Sequence, residues 1–93
     1  MLALLYFNWN GTSEEFKEFS GRIRSIIDGI EGVELTGIFL PTSEWHYVIV
    51  IKAISYEKVL EVIRTYTEKY GRPKTSLGKI ELLHTFEELG PFY

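Results

Sequence analysis

The sequence predicts an α+β fold with the element order βαββαβ, and three observations predict it. Two stretches repeat apolar residues at helical spacing, four others read as strands, and the link between the second and third strands is too short for anything but a hairpin.

Residues 2–7 form an aromatic and aliphatic run that ends at Asn8, Trp9, Asn10 and Gly11, as a strand closed by turn formers does. Thr12 and Glu15 have the spacing of a capping box, in which hydroxyl and carboxylate each satisfy a backbone N–H of the other residue. The helix they open carries Phe16, Phe19, Ile23, Ile26, Ile27 and Ile30 on one stripe, with Lys17, Glu18, Arg22 and Arg24 elsewhere. Gly29 and Gly32 supply the loose backbone at its end. Residues 33–40 alternate as a second strand closed by Pro41, and residues 45–53 form a third, rich in β-branched side chains. Ser55 can cap a second helix with Tyr56, Val59, Leu60, Ile63, Tyr66 and Tyr70 at helical spacing, ended by Gly71, Arg72 and Pro73. A last strand is expected over residues 78–86.

This order is the split βαβ pattern, a ferredoxin-like sandwich. Two right-handed crossovers place both helices on one face of a four-stranded antiparallel sheet of expected order 4-1-3-2. The expected domain covers residues 1–88, with residues 89–93 as a C-terminal tail. At 93 residues there is room for one core. A domain this small buries only about two thirds of its unfolded surface, so further apolar cover would help it.

The two central strands sharpen that point. The first has Ala3, Leu5, Phe7 and Trp9 on one face and Leu2, Leu4 and Tyr6 on the other. The third has Trp45, Tyr47, Ile49 and Ile51 opposite Val48 and Val50. Two helices cover one face only, and the cheapest cover for the other is a second copy. A homodimer with facing sheets is expected, and such dimers could stack into larger rings.

Composition narrows the function classes. With no cysteine, disulfide frameworks, thiolate metal sites and cysteine nucleophiles are excluded. A net charge of −3 with scattered basic residues disfavours nucleic acid. Residues 1–7 lack a basic flank and fit neither a signal peptide nor a membrane span, so no membrane partner and a cytoplasmic location are expected. Glutamine is absent, asparagine occurs only at positions 8 and 10, and Asp28 is the sole aspartate. With abundant Glu, Lys and Ile, this is similar to hyperthermophile composition.

Chemistry must then come from His46, His84, carboxylates, tyrosines or hydroxyls. His46 beside Glu44, Trp45 and Tyr47 offers an imidazole, a carboxylate and an aromatic wall, suited to a small planar organic ligand or to moving a proton. His84 falls on the face of Ile80, Leu82 and Phe86, where a hydrogen-bonded core or interface histidine is the structural expectation. Both histidines are expected toward one end of the sheet, with Asn8, Trp9 and Asn10 at the other. The candidate ligand-binding set is His46, His84, Trp45 and Tyr47. No catalytic residue, metal ligand or cofactor is assigned, since phosphate loops, nucleophile elbows and zinc signatures are missing.

On the stretches MLALLYFNWN, GVELTGIFL, EWHYVIVIKAISYEKVLEVIRTY and GKIELLHTF, the chain resembles the dimeric α/β-barrel superfamily, including its small stand-alone members of unknown function. The resemblance is one of layout, from residue 1 to about residue 88. It implies a scaffold shared by cofactor-independent monooxygenases, isomerases, haem-degrading enzymes and ligand-sensing modules. The resulting expectation is a small homodimeric barrel protein that binds a small molecule or serves as an assembly module. The alternative is a cofactor-independent monooxygenase- or isomerase-like enzyme with a histidine acid/base.

Overall fold

A computed structural model describes residues 1–41, 44–85 and 88. The elements run β1 (Leu2–Trp9), α1 (Ser13–Asp28), β2 (Val33–Phe39), β3 (Tyr47–Ala53), α2 (Tyr56–Tyr70) and β4 (Thr75–Leu83). The sheet order is β2-β3-β1-β4 and every neighbouring pair is antiparallel, so the fold is the expected ferredoxin-like α+β sandwich. The expected tail, residues 89–93, lies outside the described residues.

Local chemistry starts both helices where the sequence indicates. Thr12 accepts from the Glu15 backbone at 3.1 Å and its own N–H donates to the Glu15 carboxylate at 3.0 Å, completing the capping box. Ser55 caps α2 by accepting from Lys58, and Gly71 ends it at φ 77°, a conformation glycine adopts without steric cost. The helices bury Phe19, Ile23, Ile26 and Ile27 from α1 and Val59, Val62 and Tyr66 from α2. Tyr56, expected on the packed stripe, is exposed in the first turn of α2.

The inner face of the sheet carries Ala3, Leu5 and Phe7 from β1 and Tyr47, Ile49 and Ile51 from β3, all buried. The outer face carries Leu2, Leu4 and Tyr6, opposite Lys52, Val50 and Val48. Phe39, 50% exposed, and Leu83, 45% exposed, extend this face onto the edge strands. Its charged residues are Glu34 and Lys52 at one end and Lys79 and Glu81 along β4.

Two starting points differ from the sequence expectation. β4 begins at Thr75 rather than at residue 78, because Gly78 is the extra residue of a bulge: Tyr6 pairs with Lys79 and Phe7 with Leu77. β3 begins at Tyr47, since residues 44–46 form a bend. Strict alternation therefore does not reach Trp45, whose ring lies against Tyr6 at 6.3 Å on the outer side and covers Gly78. A Cβ at position 78 would lie 2.2 Å from two carbons at the edge of the Trp45 ring, too close to stand without a shift. Gly78→Ala should displace that ring and destabilise the fold by about 1–3 kcal/mol, the usual cost of overpacking. Urea unfolding measures the loss, and a shift in tryptophan emission that vanishes in a Trp45→Phe background identifies its source.

Candidate functional site

The end of β1 is held from both sides. The Trp9 N–H donates to His46 Nδ1 at 2.8 Å, and the Asn10 N–H donates to the Lys74 carbonyl at 2.7 Å. The His46 backbone N–H in turn donates to the Phe7 carbonyl at 3.0 Å. The imidazole thus stands where the next ladder carbonyl would be if β3 began earlier. A neutral ring that accepts at Nδ1 carries its proton on Nε2, so His46 can offer a ligand a donor.

Below His46 is an aromatic cluster centred on Tyr47. Its ring stacks on Phe7 at 5.0 Å and 7° and meets Phe16 edge-on at 4.8 Å; Trp9 and Phe19 lie 6.4 and 6.1 Å away. The Tyr47 hydroxyl lies 3.0 Å from Thr75 Oγ1, which donates to the Asn8 carbonyl at 2.6 Å, so the tyrosine is the donor of the first bond. Burial pushes the Tyr47 hydroxyl well above the usual phenol range, so it stays protonated as that donor.

An open cleft of about 370 Å³ lies beside this cluster, lined by Trp9, Phe16, Tyr47, Leu40, Lys17 and His46 among others. Of the four sequence-predicted ligand residues, His46 and Tyr47 share it. Trp45 is on the opposite side of the sheet.

His84 is at the other end, which corrects the expectation that both histidines share one. β3 and β4 each run antiparallel to β1 and hence parallel to each other, so the start of one and the finish of the other lie at opposite ends. The register from Phe7↔Tyr47 to Leu2↔Leu83 puts His46 and His84 about 24 Å apart, at about 3.4 Å per residue. Trp9, expected far from His46, is its hydrogen-bond partner. His84 is exposed, with Nδ1 3.5 Å from Glu88, and Phe86 lies outside the described residues. Glu88 also pairs with Thr85 as in a capping box, a T-x-x-E spacing legible in the sequence, and lies 3.6 Å from the Met1 ammonium. The Thr85 backbone N–H leads the contacts that hold its carboxyl below the usual range.

Sequence reasoning missed Trp9, Phe16 and Lys17 as cleft residues. The signal was the proximity of helix start to strand end: the cap at Thr12 places α1's first turn against the end of β1. Trp9 Nε1–H donates to the Thr12 carbonyl at 2.9 Å and fixes that approach. Among the described residues, no group of three or more histidine or carboxylate side chains is placed to hold a metal, and no helix is long and apolar enough to cross a membrane. The chain matches no family model and no curated protein.

One electrostatic contact supports this end of the fold. Lys74 Nζ lies 2.7 Å from the Glu15 carboxylate and joins the capping box to the α2–β4 connection. That contact, with the Thr12 backbone and side-chain bonds next, lowers the Glu15 carboxyl to about 2 from 4.5. A folded-state value below the unfolded one gives stability that is full above about 4.5 and lost as pH falls toward about 2. Glu15→Gln keeps an acceptor for Thr12 but removes the charge. The Tm gap between wild type and Glu15→Gln should therefore be negligible near pH 2, open as pH rises to about 4.5 and stay level above; calorimetry across that range checks it, and added salt should narrow the gap.

Proposed function

We propose that the chain is a homodimeric α/β-barrel protein, an assembly module whose sheets pack face to face and whose clefts beside His46 take a small molecule. The outer face of the two central strands carries this reading. Leu2, Leu4, Tyr6 and Val50 are contiguous and partly exposed there around the buried Val48, and among the described residues the helices bury the opposite face. Four strands about 4.8 Å apart and seven residues long at about 3.4 Å span about 19 by 24 Å. The apolar residues of the two central strands occupy the middle of that face, with Glu34, Lys52, Lys79 and Glu81 toward its edges, and would form the centre of an interface burying about 800 Å² per partner.

Chemistry at the rim favours a second copy as the occupant. Glu34 with Lys52 and Lys79 with Glu81 put both signs on each protomer, so self-contact sets no block of like charge against its twin. Phe39 and the 79%-exposed Leu40 extend the apolar area beyond the face.

The cleft reading rests on the aromatic wall of Trp9, Phe16 and Tyr47 with the His46 Nε2–H and Lys17 as polar groups. Such a lining suits a planar organic molecule. The histidine acid/base alternative draws on the same ring, but Nδ1 is engaged by Trp9 and Tyr47 is held as a donor. Binding is the better-supported use of these groups.

Sedimentation velocity over micromolar concentrations tests the assembly. Wild type should sediment as a dimer, and Val50→Glu, which places a carboxylate opposite Leu4 at the centre of the face, should give a folded monomer by circular dichroism. A wild-type monomer throughout that range would remove the proposal.

A further inference from the structure

The layer between the sheet and the helices contains a second void, separate from the His46 cleft and independent of dimerisation. It has a volume of about 150 Å³. Leu5 and Ile49 form part of its floor, Ile23 reaches in from α1, and Val62 and Ile63 from α2. The mouth is at Thr67, Pro73 and Thr75, where the chain passes from α2 into β4.

The lining residues carry no charged side chain. Of the three hydroxyl-bearing lining residues, Thr67 Oγ1 donates to the Ile63 carbonyl at 3.0 Å and Thr75 Oγ1 bridges Tyr47 and Asn8, which leaves the Tyr66 phenol. A buried water needs two to four polar partners, and these walls give it few. Enclosed apolar cavities of about this volume admit a single aromatic ring, and this one is open to solvent only at its mouth. An empty one lacks dispersion contacts on one side of every wall atom, so filling it stabilises the folded state.

We propose that this cavity is a binding site for a compact, uncharged, apolar molecule: one aromatic ring, or a branched hydrocarbon of the same bulk. A carboxylate or ammonium on the ligand would meet no partner inside and would lose its hydration.

Benzene is the probe, with benzoate as its charged counterpart, followed by methyl carbon–proton correlation spectra and thermal unfolding. Benzene should move the methyl resonances of Ile23, Ile49 and Ile63, leave Val50 on the outer face unmoved and raise Tm by a few degrees; benzoate should do none of these. Val62→Ile, which adds one methylene toward the void, should raise Tm without ligand and weaken the benzene response about tenfold or more, the difference between a site that is open and one that is filled. Three results would overturn the proposal: inner methyls that stay unmoved up to the solubility of benzene, a response confined to Leu4 and Val50, or a Val62→Ile protein less stable than wild type. The last would show that the space is already packed.

Discussion

Tyr47 is the side chain on which the two layers and three of the strands depend. Only 1% of it is exposed, yet it is a large polar-tipped residue at the first position of a central strand. Its ring joins β3 to Phe7 of β1 and to Phe16 of α1, and its hydroxyl reaches Thr75 of β4. Aromatic pairs add about 0.5–1.5 kcal/mol each beyond the area they bury. The hydroxyl can be buried at that position because Thr75 accepts from it and passes its own proton to the Asn8 carbonyl, leaving no orphaned donor. This chain of two hydrogen bonds ties the start of β4 to β1 and β3.

From that anchor the asymmetry of the sheet follows. The bonds to β1 put Tyr47, Ile49 and Ile51 inward with Ala3, Leu5 and Phe7, and the two-residue period then sends Leu4, Tyr6, Val48 and Val50 outward. A one-residue slip in register would exchange these two sets with little change in hydrophobicity, because both are apolar. The aromatic cluster, the His46 bond to Trp9 and the Thr75 bridge discriminate between them. Hydrophobic pattern alone leaves the register of such a strand weakly specified; here polar contacts at the end of β1 specify it.

That distinction explains which features were legible in the sequence. Element order, strand order, both caps and the two-faced apolarity of β1 and β3 depend on local spacing and on the crossover rule, and each is found as read. The bulge at Gly78 was not legible. A glycine there reads equally well as the opening of a strand, and only the Trp45 ring lying on it accounts for the missing side chain. The bend at residues 44–46 likewise turns Trp45 away from Tyr47, which sequence alternation would join. For the candidate site, His46 and Tyr47 were visible as residues. Their partners Trp9, Phe16 and Lys17 come from a helix start and a strand end brought together by the Thr12 cap. The placement of both histidines at one end failed on strand direction: two strands flanking the same antiparallel neighbour point the same way.

The two voids share a cause. At the Trp9 end, the long rings of Tyr47, Phe16 and Phe19 set how far α1 and α2 stand from the sheet. One turn back along α2 from Tyr66, the buried residue lining the same gap is Val62, a side chain shorter than the Phe19 and Tyr66 rings that also line it. Closing the helices on Val62 would press Phe16 and Phe19 toward Tyr47, whose hydroxyl is held by Thr75. Space therefore remains beside Val62 as apolar cavity, and at the other side of the rings, where α1 begins, as the cleft under His46. In the first void Thr75 is bonded across the strands and Thr67 within α2, whereas the second retains the His46 imidazole and the Lys17 ammonium, so one aromatic spacer stands between an uncharged space and one with a basic rim.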